Sequence, residues 1–311
     1  MAHVLFVHGL DNKPEADYLY QLWKRKLAHE DGPDLDGNGV SSTMAYWADV
    51  FYASPDTNLA AYESAAGDVE TLDEGPTPPL DLDRLPRDHA ARVRRLADKV
   101  GVDPEAPSDH GASAAEVMAV RQERVPVPEW LRKRIMARFV RDAHHYFFNQ
   151  ESIPRPGARY LARDEMRKRF LDGLKAGASQ RPLVVVSHSM GTIIAYDCLM
   201  HEPDCPEVDG LMTVGSPLGL DEVQDFFPSW SRANGFPSAK LKGPWVNVFD
   251  PLDVVAGFDP RFAGDFMRNG MPVVEDMRED NWGTWRHSIS KYMQGKLLRG
   301  RLAKMLTLEW A

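Results

Sequence analysis

Cysteine is scarce in this chain: 311 residues hold two, Cys198 and Cys205, close together in the sequence. Two neighbouring thiols cannot build the disulfide framework of a secreted domain, so a reducing compartment is expected. Long apolar runs are missing as well. No stretch approaches the ~20 residues that cross a bilayer. The opening MAHVLFVHGL has no basic start, extended apolar segment or small-residue cleavage site of a secretory leader. A cytoplasmic protein is the expectation. Basic excess is also lacking: the formal charge is −9. That disfavours a general nucleic-acid binder, because neutralising phosphates requires a basic surface. Internal repeats and low-complexity arrays do not occur.

What the chain does have is core-forming material, with 43% hydrophobic residues, enough for one large domain. Strand-like and helix-like patterns alternate at both ends, which implies an α/β class with a mostly parallel central sheet flanked by helices. His3 to Val7 is a short apolar run that stops at His8-Gly9 and reads as a buried strand. Pro14 opens a helical pattern in which Leu19, Leu22, Trp23 and Leu27 share one face. DLDGNG follows, then the strand candidate TMAYWADVFY. Asp34, Asp36 and Asn38 imitate the start of a calcium loop, but Ala45 stands where the closing glutamate belongs, so a solvated turn is expected.

Residues 53–162 break the alternation and read as an insertion, a helical cap on a core of residues 1–52 and 163–311 within one domain. Its acidic, proline-bearing GDVETLDEGPTPPLDLD is expected to be a mobile loop. Leu85 to Val100 and VPEWLRKRIMARFVRDAHHYFF read as helices, the second with Leu131, Ile135 and Phe139 spaced by fours. Arg132, Lys133, Arg134, Arg138 and Arg141 surround that apolar stripe. Such a helix packs its stripe on the core and solvates its charges, or rests peripherally on an anionic membrane. His144 and His145 are adjacent and cannot face one metal ion. Beyond the insertion come a helix over Asp164–Leu174, a strand over Leu183–Val186 and a helix over Thr192–Met200. Strands in GLMTVGSP, PWVNVFD and MPVVED follow, then a closing helix from near Ser288 with Ile289, Tyr292, Met293 and Leu297 on one face.

The chemistry centres on VVVSHSMGT, residues 184–192. A β-branched run turns into an apolar helix on Ser187-His188-Ser189-Met190-Gly191. A serine hydroxyl is a weak nucleophile that needs a base against it and donors for the oxyanion. A sharp strand-to-helix turn lifts the apical side chain clear of the sheet and presents the next backbone N–H. Small residues two before and two after the apex let the turn close. Ser189 is the candidate nucleophile. His188 is a poor base, because consecutive side chains at a tight turn point different ways.

This motif in this setting resembles the elbow of the α/β-hydrolases of the lipase and esterase sort, with Ser187 replacing the first glycine of Gly-x-Ser-x-Gly. The resemblance implies that His8-Gly9 in FVHGLDNKP begins the loop supplying one oxyanion donor, the Leu10 N–H, and that Met190 supplies the other. The family's order of serine, acid, then histidine asks for a base downstream of the last strands. His201 and His287 are the histidines after Ser189. His201 falls at a helix end, where it suits the carbonyl terminus, so His287 in WGTWRHSISKY is the candidate base. NVFDPLDVVAG offers Asp250 and Asp253 as the acid. The resemblance favours Asp253, before its valine pair, and leaves Asp250 the capping of a turn before Pro251. GSPLG, residues 215–219, receives no chemistry.

The expectation is a serine hydrolase of carboxylic esters, working through an acyl-enzyme on a small or lipid-like acyl substrate without metal or organic cofactor. An amidase, thioesterase or phospholipase would use the same groups, and a hydrolase-fold binding protein without catalysis is the alternative outside enzymes.

Overall fold

The computed structural model describes residues 1–59, 62, 78–107, 113–121 and 126–309. The chain begins with β1 (His3–Val7), α1 (Ala16–Ala28) and β2 (Ser41–Ala45). Within the insertion lie α2 (Arg87–Val100), α3 (Ala114–Arg121), α4 (Glu129–Phe147) and a hairpin of β3 (Glu151–Arg155) with β4 (Ala158–Leu161). Then come α5 (Ala162–Ala176), β5 (Leu183–His188), α6 (Met190–His201), β6 (Gly210–Val214), α7 (Asp221–Gln224) and β7 (Trp245–Phe249). A small hairpin of β8 (Met267–Arg268) and β9 (Met271–Pro272) precedes β10 (Val274–Arg278), α8 (Ile289–Gln294) and α9 (Lys296–Met305).

The centre is a sheet of six strands in the order β10-β7-β6-β5-β1-β2, with every pairing parallel. Strands β1, β5, β6 and β7 are buried along their whole length. Their mostly apolar sequences fit a parallel sheet covered on both faces. Alternate residues feed two separate cores, as the period of two requires. Val4, Phe6, Val184, Val186, Val246 and Val248 pack under Leu19, Trp23 and Leu27 of α1 and the helices at the C-terminal end. Leu5, Val7, Val185, Leu211 and Trp245 face the other way, against α5 and α6.

The second core also contains Leu96 and Val100 of α2 and Leu131, Ile135, Phe139 and Tyr146 of α4. The described part of the insertion is therefore continuous with the sheet's own core. Helix α6 is buried on all sides, Met190 through Leu199, and so lacks a polar face. The charge inside it, Asp197, is held by the Arg167 guanidinium at 2.8 Å to each oxygen, by the Tyr146 hydroxyl at 2.6 Å and by His201 Nδ1 at 2.8 Å. Burial disfavours that charge, yet these donors hold its pKa below the ordinary value.

Several boundaries differ from the sequence expectation. β2 starts at Ser41 and stops at Ala45, and the aromatic residues after it enter a turn around Ala48–Val50. MPVVED divides between β9 and β10, and only the latter joins the central sheet. The closing helix breaks at extended Gly295, so its apolar face continues through Leu298 and Leu302 while Leu297 is exposed. In GDVETLDEGPTPPLDLD, residues 67–77 lie outside the described residues; Leu82 near its end is buried. DLDGNG is a turn, with Asn38 donating to the Asp34 carbonyl and Asp36 paired to Lys24. Among the described residues no helix is long and apolar enough to cross a membrane.

His144 lies buried on α4, beside Phe148, and neither ring nitrogen has a hydrogen-bond partner among the described residues. Burial, with the nearby His145 and His89, pushes its pKa down to about 4. The unfolded chain protonates the same ring near pH 6.5. Between those values the unfolded state holds the extra proton, so folding stability falls as the pH drops. Thermal unfolding should show Tm decreasing from pH 7 to pH 4.5 and His144→Phe decreasing less steeply; parallel curves for the two proteins would contradict this.

Candidate functional site

The strand order reverses between β1 and β5, because the chain runs outward to β2 and then returns to the opposite side of β1. Such a switch point opens a crevice at the carboxyl ends of the two strands, the common ligand position in open α/β sheets. His8-Gly9-Leu10 leaves β1 there, and Ser189 leaves β5.

Ser189 has φ 52° and ψ −127°, a conformation costly for a residue with a side chain, on the order of 1–3 kcal/mol. The surroundings fix it. Its N–H donates to the Val214 carbonyl at 3.0 Å, and its carbonyl accepts from Thr192 N–H at 2.9 Å and Thr192 Oγ1 at 2.7 Å. A Cβ on Gly191 would stand 2.4 Å from the His8 carbonyl oxygen, and one on Gly9 would stand 2.7 Å from Ser189 Cβ. The turn closes because both positions lack side chains. Ser187, where a glycine was expected, is accommodated with its hydroxyl directed to the Met212 carbonyl at 3.3 Å.

The sequence candidates meet here. The Ser189 hydroxyl lies 2.9 Å from His287 Nε2, and His287 Nδ1–H donates to the two oxygens of Asp253 at 2.8 and 2.9 Å. Asp253 also accepts from the N–H groups of Val255 and Ala256 at 2.8 and 3.1 Å and from the Tyr292 hydroxyl at 2.8 Å. Its full burial disfavours the charge, but the His287 charge and these donors outweigh it and keep the pKa below the ordinary value. Asp250 does not touch His287. It caps its own turn through Leu252 N–H and receives Asn281 N–H at 2.7 Å and Arg286 Nη1 at 3.1 Å, which anchors the segment just before His287. Burial pushes its pKa up.

Leu10 and Met190 lie at the ends of the two converging segments, Met190 as the first residue of α6. The Gly9 carbonyl accepts from His8 Nδ1–H at 2.8 Å, and the planar peptide then directs the Leu10 N–H the opposite way. The carbonyls of Leu10, Asp11 and Asn12 converge on the buried Lys13 ammonium. The N-terminal end of α6 adds a partial positive charge beside Ser189.

His188 packs fully buried between Trp23 and His287. Its Nε2–H donates to the His287 carbonyl at 3.1 Å. Burial, then the charges of His287 and Lys13, holds its pKa well below the ordinary value, and burial with Lys13 brings His8 down to about 3. Both rings are neutral at pH 7, so of these three histidines it is His287 that is paired with a carboxylate.

Four contributors escaped the sequence reading. Tyr292 was read as an apolar face residue, yet its hydroxyl bridges Asp253 and the Asp250 N–H, the latter at 2.8 Å. Gly215, given no role, has φ 55° and leaves room beside the pair, since a Cβ there would be 2.9 Å from Asp253 Oδ2 and 3.3 Å from His287 Nδ1. Lys13 and the pair of Asp11 with Arg138 are the others. A positive-φ position before a proline-ended loop and an arginine on a distant helix carry no joint pattern in one sequence.

The site is closed. Ser189 is 0% exposed and His287 2%. Surface cavities of about 400 Å³ occur elsewhere, one beside Phe236 and Met267 and one beside Asn12, Tyr46 and Arg169, and none of the three site side chains lines them. In this conformation the Ser189 hydroxyl is shut off from solvent. Replacing Tyr292 by Phe leaves the Asp253 carboxylate and the Asp250 N–H each one partner short, which should lower stability by about 1–3 kcal/mol. Urea unfolding of Tyr292→Phe tests this; an unchanged midpoint would show that the hydroxyl is dispensable.

No protein-family model matches the chain and no curated protein matches it. A solved structure described as an uncharacterized protein from Pseudomonas aeruginosa is similar at 10% identity and a TM-score of 0.28, covering 94% of this chain and 46% of that one. The chain thus spans about half the length of that protein, and at this level of likeness neither fold nor activity is transferred.

Proposed function

We propose that the chain is a serine hydrolase of the α/β-hydrolase kind that cleaves carboxylic esters through an acyl-enzyme. The observation that carries this is the continuous relay from Ser189 Oγ to His287 Nε2 at 2.9 Å and from His287 Nδ1 to Asp253 at 2.8 Å. It stands at the sheet's switch point, on a strained turn that heads a buried helix.

In this reading Ser189 Oγ attacks the ester carbonyl carbon while its proton passes to His287 Nε2. The imidazolium that forms is held in place by ionised Asp253. The former carbonyl oxygen, now negative, accepts from the N–H groups of Leu10 and Met190. Collapse of the tetrahedral species breaks the bond to the alcohol, which takes the proton from His287 Nε2–H. Water then repeats the sequence on the acyl-enzyme and frees the acid. Amides, thioesters and phospholipids remain chemically open to the same groups. Residues 53–162 are the segment from which acyl selectivity would come. Cytoplasmic location and a small or lipid-like acyl substrate belong to the same proposal. The basic groups of α4 give less support to membrane contact: Arg138 pairs with Asp11, Arg141 with Asp142 and Arg132 with Glu129.

A fluorophosphonate should label the wild type and leave Ser189→Ala unlabelled, and an intact-mass shift on a different residue would defeat the proposal. The Asp253 pKa is held below the ordinary value, so its carboxylate is ionised at the pH of the assay. Asp253→Asn should lower kcat on p-nitrophenyl butyrate by on the order of 10⁴. A loss below about tenfold would remove Asp253 from the relay.

A further inference from the structure

Helix α4 belongs to the insertion, yet it is fastened to both segments that carry the oxyanion donors. Arg138 is 2% exposed and donates from Nη1 to Asp11 Oδ1 at 2.8 Å, and Asp11 is 0% exposed. Asp11 immediately follows Leu10 and sits at φ 72°, a left-handed position uncommon for residues with a side chain and adopted more readily by aspartate than by most. The same carboxylate oxygen accepts from the Tyr52 hydroxyl at 3.3 Å, and that hydroxyl in turn accepts from Arg141 of α4 at 3.4 Å. Farther along α4, the Tyr146 hydroxyl donates to Asp197 of α6 at 2.6 Å.

The two fastenings lie ~12 Å apart on one helix. Asp197 is two turns, ~10 Å, along the helix that Met190 heads. A helix is stiff over such a length, so it fixes the loop holding Leu10 relative to the helix holding Met190. A buried ion pair contributes little net stability compared with apolar packing, but its direction is specific.

We propose that α4 acts as a brace that sets the separation of the two oxyanion donors, with Arg138 as the positioning residue for the Leu10 N–H through Asp11. This rests on the serine hydrolase reading above. Arg138 touches no reacting atom. Its effect falls on the stabilisation of the tetrahedral oxyanion and leaves ground-state binding of the ester largely unaffected.

The test uses the full chain with Arg138→Met, Arg138→Lys and the pair Asp11→Asn with Arg138→Met. The paired variant removes both charges, so it avoids a lone buried carboxylate if Arg138→Met fails to fold. Each is assayed for p-nitrophenyl butyrate hydrolysis per serine titrated with a fluorophosphonate, and for inhibition by phenylboronic acid, whose tetrahedral adduct places an oxygen where the oxyanion forms. Arg138→Met and the paired variant should lose about 10- to 100-fold in kcat with KM within about threefold, and phenylboronic acid affinity should fall in proportion. Arg138→Lys should recover part of both. A folded paired variant with wild-type kcat and wild-type phenylboronic acid affinity overturns the brace, even if its Tm is lower. Absence of Ser189 labelling in the wild type instead defeats the hydrolase reading, and the brace falls with it; a labelled wild type with unaffected variants removes the brace alone.

Discussion

The approach of the end of β1 to the turn after β5 is the constraint on which the site depends. Gly191 brings the start of α6 against the carbonyls of Val7 and His8, and Gly9 admits the Ser189 side chain from the opposite side. Any side chain at either glycine would push the two strand ends apart. With the ends together, Ser189 holds its strained conformation and its hydroxyl lies 2.9 Å from His287 Nε2. The parallel register of β1 with β5, Val7 beside Ser187, is what brings those ends level. Sheet pairing thus supplies coarse alignment and the missing side chains supply the final ångström.

Electrostatics then separates groups that composition alone leaves equivalent. His8, His188 and His287 crowd one corner, and three positive charges there would repel one another and the Lys13 ammonium. Two of the rings are buried without a carboxylate and stay neutral, each spending its N–H on a backbone carbonyl. The third faces Asp253, whose own charge is secured by two backbone N–H groups and a phenol. Identical side chains acquire different tasks from what lies within hydrogen-bond reach.

How much of this was legible in the sequence depended on the range over which each signal is encoded. The buried strands were readable because a parallel sheet covered on both faces needs mostly apolar runs, as in HVLFV and WVNVF. Helix α1 was readable because Leu19, Leu22, Trp23 and Leu27 repeat at helical spacing, and all four are buried. The serine turn was readable because strand, small residues and helix are contiguous. β2 was misplaced because its residues are half-buried at the sheet's edge and polar in type, while the aromatic run after it belongs to a turn. Asp253 could be preferred over Asp250 only through a family resemblance. In the structure the two differ by which one receives Arg286 and which one receives His287, a difference created by the loop path. Tyr292 misled because a phenol on an apolar stripe looks like core until its hydroxyl finds a carboxylate.

The insertion shows the same logic at longer range. Helical periodicity located α2 and α4, but periodicity assigns Arg138 and Asp142 to nothing in particular, and both are buried. A helix laid on the core to cover apolar surface would do so more cheaply with leucine at those places. Arg138 instead carries its guanidinium to a left-handed aspartate in the segment that leaves β1 next to Leu10. Apolar contact holds the helix against the sheet and tolerates small sliding; a directional buried pair does not. The described insertion therefore belongs to the interior of the site's architecture, and any opening that exposes Ser189 has to leave these contacts intact or remake them.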